Sequence, residues 1–145
     1  MDKQTILETY NHFNEFGRTH GMDYTILSPG NIEYSLNATP ALMATRTAMH
    51  GGAMAGFVDA VLGVAALSAS CEEGKVVSTV EYKLNFLAPV ILNDQLKGVG
   101  RVISKGNRII VAEAKIYNQR EELVAIASGT FNAYPFEKSD MYNAL

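Results

Sequence analysis

The run His50-Gly51-Gly52-Ala53-Met54-Ala55-Gly56-Phe57-Val58-Asp59 continues to Ser70 without a proline and with Asp59 as its one charge. A helix this apolar on all sides has to be buried. Its twenty residues would span about 30 Å, but four glycines and a carboxylate weaken a transmembrane reading. Gly52, Gly56, Asp59, Gly63 and Ala66 advance by four, three, four and three, so they form one stripe. Met54, Phe57, Val58, Val61 and Ala65 cluster on the opposite side. The helix therefore has a bulky face and a small-residue face, with its carboxylate in the middle of the small face. Small residues let a backbone or a ligand approach closely. The simplest alternative for Asp59 is a structural carboxylate, capping a loop or paired with an Arg.

The length of 145 residues suits one domain, 1–145, with a proper core. A net charge of −3 and a pI near 5.6 argue against non-specific nucleic-acid binding. The single cysteine, Cys71, has no internal disulfide partner and suits a reducing compartment. Met1–Tyr10 lacks the pattern of a secretory signal, so a cytoplasmic location without a membrane role is expected.

Residues Asp2–Phe16 read as an amphipathic helix, with Ile6, Leu7, Tyr10, Phe13 and Phe16 on its apolar face, Asp2 as N-cap and Gly17 as stop. Tyr24–Ser28 and Ile32–Asn37 flank Pro29-Gly30-Asn31 as a hairpin. Thr39–Met49 connects to the long helix. Four strand-like runs follow: Val76–Phe86, Leu96–Ser104, Arg108–Asn118 and Leu123–Tyr134. In the first, Val80, Tyr82, Leu84 and Phe86 alternate with Thr79, Glu81, Lys83 and Asn85, placing the two sets on opposite faces. The tail to Leu145 reads as poorly ordered. An antiparallel meander needs its apolar face covered, and only Gly51–Ser70 is apolar enough to do so. The expected architecture is α+β, an antiparallel β-sheet wrapped around one long central helix.

His12 and His20 have no partner at metal-ligand spacing, and no phosphate-binding loop, dinucleotide glycine pattern, paired cysteines or nucleophile elbow is present. No metal or cofactor site is predicted. Asp59 and the helix start remain. The N–H groups at Gly51 and Gly52 are unpaired at the positive end of the helix dipole, where they can polarise a carbonyl oxygen. Asp59 lies roughly 12 Å further along the helix by its rise. One chain cannot easily bring both to one carbon, so a site joining them requires a homo-oligomer.

His50-Gly51-Gly52 with Asp59 nine positions after the His resembles the hotdog-fold acyl-CoA thioesterases of the phenylacetate-degradation type. Thr79-Val80-Glu81-Tyr82-Lys83-Leu84-Asn85-Phe86-Leu87-Ala88-Pro89 looks like that family's long strand ending in proline, and Ser128-Gly129-Thr130-Phe131 like its last strand. The resemblance implies a hotdog fold and a thioester hydrolase working on a coenzyme A thioester. It implies Asp59 as general base or nucleophile, the Gly51 N–H of the opposite subunit polarising the thioester carbonyl, and Thr79 orienting the attacking water. His50 and Gly52 are implied beside the substrate, with His50 also fixing the loop that enters the helix. The turn Lys105-Gly106-Asn107-Arg108 is implied at the nucleotide end of coenzyme A, where basic side chains can meet phosphates. The partners implied are a small-molecule acyl-CoA and further copies of the chain, as a dimer or tetramer.

Ala44 and Thr47 depart from the pattern, since many members have Asn six residues and Gly three residues before the His. Thr45 or Thr47 offers a replacement hydroxyl. Two functions follow: hydrolysis of an acyl- or aryl-CoA thioester, favoured by Asp59, or a non-catalytic hotdog module binding acyl-CoA or a lipid, favoured by Ala44. A hotdog dehydratase would need a His with a carboxylate, and no such pair is present.

Overall fold

A computed structural model describes all 145 residues. Helix α1 (Lys3–Phe13) begins where the Asp2 side chain accepts the Thr5 N–H at 3.0 Å. It ends earlier than the apolar periodicity predicts. Asn14 leaves helical geometry (φ −79°, ψ 64°) and its side chain caps a second helix, α2 (Glu15–Thr19), by accepting the Gly17 N–H at 3.1 Å. Gly17 is thus inside a helix rather than a stop. An Asn side chain competes well for backbone groups, and here it breaks one helix in order to start the next.

Strands β1 (Asp23–Ser28) and β2 (Asn31–Asn37) form the expected hairpin, with Gly30 at φ 84° in its turn. The connecting segment contains a small ladder, β3 (Met43–Thr45) with β4 (Ala48–Met49), that the sequence did not reveal. Then α3 (Gly51–Ser70) runs over the predicted span. It is long and apolar enough to cross a membrane, but most of it is buried against the sheet. After a short turn, β5 (Lys75–Phe86), β6 (Gln95–Lys105), β7 (Ile109–Tyr117) and β8 (Leu123–Pro135) complete one antiparallel sheet of six strands in the order β1-β2-β6-β7-β8-β5.

The bulky face of α3, including Met54, Phe57, Val58, Val61 and Ala65, is buried in the main core with Tyr34, Ile116 and Phe131. The sheet meets the helix backbone itself at Gly100, where an added Cβ would lie 2.8 Å from the Val61 carbonyl oxygen. A curved antiparallel sheet wrapped around one central helix is the hotdog architecture.

The C-terminal residues are more ordered than the sequence suggests. Phe136 is fully buried with Ile6, Leu67, Cys71 and Val76, and α4 (Asp140–Asn143) follows, capped by Ser139. A single large aromatic side chain anchors this tail, and polar composition hides it. Burial also pushes the Cys71 thiol up to about 11, so it is a packing residue.

The close contact at Gly100 predicts that Gly100→Ala overpacks the helix–sheet junction. The cost is about 1–3 kcal/mol, a fall in Tm of several degrees by thermal melting. An unchanged Tm would show that the helix does not press on the sheet there.

Candidate active site

Asp59 projects from the small-residue face of α3 and is half-buried. Its Oδ1 accepts the Thr79 hydroxyl at 2.8 Å, and its Oδ2 has no partner in the chain. Strict alternation along β5 would put Thr79 on the face opposite Tyr82. The register explains why both face the helix. Thr79 pairs with Phe131 and Tyr82 with Gly129, so β5 spends three residues where β8 spends two, with a bulge between Thr79 and Glu81. The bulge turns the Thr79 hydroxyl toward α3 and leaves Val80 58% exposed. The hydroxyl of Tyr82 donates to the Ala55 carbonyl at 2.9 Å, tying β5 to the helix one turn before Asp59.

At the helix start, His50 is the N-cap. Its Nδ1 accepts the Gly52 N–H at 2.9 Å, which places the ring proton on Nε2. His50 and Gly52, implied beside the substrate, are joined by this bond, which leaves Gly52 no spare backbone donor. The Gly51 N–H makes no hydrogen bond within the chain. It is the free donor at the positive end of a long helix. Asp59 and Gly51 thus lie on one helix more than two turns apart, and the single chain does not bring them together.

A cleft of about 440 Å³ adjoins Asp59 and Thr79. Its walls include Tyr10 and Phe16 from the N-terminal segment, Ala60 and Leu67 from α3, Phe131 from β8 and Met141 from the tail. None of these walls from outside α3 was found from sequence, because each comes from a segment whose role is set by tertiary packing. Burial, before all other influences, raises the phenol pKa of Tyr10 and of Tyr82, with the Asp59 charge adding to both.

The predicted nucleotide turn is partly committed elsewhere. Lys105 is bound to Glu73 at 2.6 Å, and Gly106 closes the hairpin through its N–H to the Ile109 carbonyl at 2.8 Å. Asn107 receives the Lys75 ammonium on both its oxygens at 2.8 Å. The hydrogen bond from Lys105, with that from Lys75, holds the Glu73 carboxyl below its ordinary range. Arg108 makes no ion pair and borders a hollow of about 510 Å³ together with Lys75, Tyr134 and Lys138. Lys138 also makes no ion pair, and sequence reading missed it because it sits in the C-terminal tail. Thr45 and Thr47, offered as replacement hydroxyls, lie on the exposed β3–β4 turn, where the Thr45 hydroxyl accepts the Thr47 N–H at 3.3 Å. No group of three His, Cys or carboxylate side chains is placed to hold a metal ion.

No curated protein matches the sequence. Among solved structures, a thioesterase family protein from Silicibacter pomeroyi is 27% identical over 91% of this chain and 97% of its own, with a TM-score of 0.81. The PaaI protein of the E. coli phenylacetic acid degradation operon is 17% identical over 91% of this chain and 93% of its own, again with a TM-score of 0.81. A hypothetical thioesterase from Streptococcus pneumoniae, solved with coenzyme A, is 19% identical over 86% of this chain and 94% of its own, with a TM-score of 0.74. The latter two likenesses establish the shared fold. The sequence profile of the Thioesterase superfamily matches residues 47–125, which run from just before His50 through β5, β6 and β7 into β8 and make up more than half of the chain. The chain belongs to the thioesterase superfamily.

Proposed function

We propose that this protein hydrolyses an acyl- or aryl-CoA thioester in sites shared between two copies of the chain. The observation that carries the reading is the Asp59 carboxylate. One oxygen is fixed by the Thr79 hydroxyl at 2.8 Å, the other is free, and both stand at the wall of an apolar cleft. A carboxylate so held can take a proton from water as the water adds to the carbonyl carbon. It can equally attack that carbon itself as a nucleophile. The Gly51 N–H of the second copy stabilises the charge that grows on the carbonyl oxygen. In the first route the carbon–sulfur bond then breaks and the coenzyme A sulfur leaves with the proton that Asp59 took from water. In the second the sulfur leaves as thiolate, and water then hydrolyses the anhydride formed on Asp59 to release the free acid.

The second copy is supplied by pairing at β5. This strand is twelve residues long and forms one edge of the sheet, so a row of its N–H and C=O groups is open. Pairing two such edges about a two-fold axis joins the sheets and brings the two α3 helices side by side. It also covers the exposed Val80. Arg108 and Lys138, free of ion pairs, meet the phosphates of the nucleotide, with Lys105 set aside by Glu73. Coenzyme A in the S. pneumoniae structure supports this class of ligand.

A thiol-release assay over a panel of acyl-CoA thioesters tests the reaction. Asp59→Asn should keep its hydrogen bond from Thr79 and its Tm, and lose about 10²–10⁴-fold in kcat. A variant that is less stable yet turns over at the wild-type rate would make Asp59 a structural residue. Binding of coenzyme A thioesters without turnover by the wild type would favour the non-catalytic module that Ala44 suggests.

Gly51→Pro separates the N–H from the fold. Proline suits the first helical position, and His50 at φ −60°, ψ 132° already has the backbone that precedes proline. The variant should fold normally and lose about 10²–10³-fold in kcat, whereas Gly51→Ala, which keeps the N–H, should stay active. Equal activity of the two would remove the donor from the mechanism.

Replacing Arg108 and Lys138 with Ala should raise KM for coenzyme A thioesters and leave KM for a short thioester lacking the nucleotide unchanged. An equal rise for both would place the nucleotide elsewhere.

A further inference from the structure

The cleft beside Asp59 is walled on one side by a side chain that neither the sheet nor the main helix supplies. Asn14 ends α1 and caps α2, and Arg18 fastens the two together by donating to the carbonyls of Asn11 at 2.5 Å and His12 at 2.8 Å. This places the Phe16 ring directly on α3 at Gly56. A Cβ added to Gly56 would lie 2.9 Å from the tip of that ring, so the contact exists because position 56 has no side chain. Gly56 stands three residues before Asp59 on the small-residue stripe, and Phe16, Gly56 and Asp59 line the same cleft. The ring also meets the His20 imidazole edge-on, with centroids 4.8 Å apart. Phe16 nevertheless remains 48% exposed. A large aromatic side chain so exposed contributes little as core. Held on a glycine beside a reactive carboxylate, it shapes the space.

We propose that Phe16, seated on Gly56, is the specificity-determining wall of the acyl site. Its ring sets how wide an acyl group can lie beside Asp59. This rests on the thioesterase reading above. The cleft walls are mostly apolar, with Tyr10 and Asn14 lining its N-terminal side, so the group accommodated is a narrow aliphatic chain or a single flat ring. Removing the ring opens the cleft to branched or fused-ring acyl groups. Adding a methyl at position 56 displaces the ring and changes the same limit.

The test measures kcat/KM for coenzyme A thioesters of a narrow acyl group (hexanoyl, phenylacetyl) and a wide one (naphthylacetyl, a branched chain). In parallel it measures Kd for the matching non-hydrolysable S-alkyl-CoA thioethers. The readout is the wide-to-narrow ratio within each variant, which cancels any loss of folded protein. Phe16→Ala should raise that ratio about tenfold or more, the scale on which small steric differences in a pocket discriminate. Phe16→Tyr should keep the wild-type ratio. Gly56→Ala should change the ratio in the wild-type background and leave it unchanged alongside Phe16→Ala, because its effect passes through the ring. A Phe16→Ala ratio equal to wild type in either measurement overturns the proposal. Thioethers that bind with the expected pattern to an enzyme that hydrolyses nothing would uphold the wall and reject the hydrolase. Failure of every thioether to bind, with no thioester hydrolysed, would reject both.

Discussion

The whole structure depends on one constraint: a twenty-residue apolar helix must be enclosed by a single sheet. One sheet covers such a helix only by curving around it and letting the backbone come close. At Gly100 the gap is too small for a methyl group, with the Val61 carbonyl 2.8 Å from where one would sit. Gly98 is crowded in the same way, with the Val61 side chain 2.5 Å from where its Cβ would sit. Close-packed interiors tolerate little change in volume, so these positions fix the depth at which the helix lies. That depth in turn sets which residues of α3 remain accessible. The bulky face disappears into the core, and the stripe of Gly56, Asp59 and Gly63 is left along the cleft.

The site proposed for the chemistry lies where the enclosure is incomplete. β5 is the last strand of the sheet, and its bulge beside Thr79 breaks the alternation that would otherwise turn that hydroxyl away from Asp59. A bulge at a sheet edge that re-aims a side chain is a common device near active sites. It also exposes Val80 on a long unpaired edge, which isolated proteins usually avoid. The same strand therefore supplies a residue of the proposed site and a surface suited to a second copy. The separation of Asp59 from Gly51 on one continuous helix adds to this: a carboxylate and a donor that cannot serve one carbon within a chain can do so across a two-fold axis.

Much of this was legible in the sequence, for identifiable reasons. The central helix was readable because an all-round apolar run with no proline has few other fates. The β1–β2 hairpin was readable because Pro29-Gly30-Asn31 carries its own turn chemistry. Asp59 and Gly51 stood out by position, one as a lone charge on a small face and the other as a helix start. The bulge at Val80 was not legible, since no glycine or proline marks it and the flanking residues alternate well. Alternation alone put Thr79 on the wrong face, and only the resemblance to known thioesterases pointed to it. The break at Asn14 was hidden because the apolar spacing runs on through it to Phe16. The pairing of Lys105 with Glu73, and the cleft walls at Tyr10, Phe16 and Met141, join segments far apart in the chain, where local pattern carries no information.

The central claim is that each site takes Asp59 from one copy and the Gly51 N–H from the other. Mixing two inactive variants tests it most directly. Asp59→Asn and Gly51→Pro chains are unfolded together, refolded, and assayed for thiol release. In a hybrid two-fold dimer, one site receives the intact Asp59 and the intact Gly51 while the other receives neither, so random mixing should restore roughly a quarter of wild-type activity. If both groups acted within a single chain, no hybrid would contain a complete site, and a mixture as inactive as its parents would contradict the account.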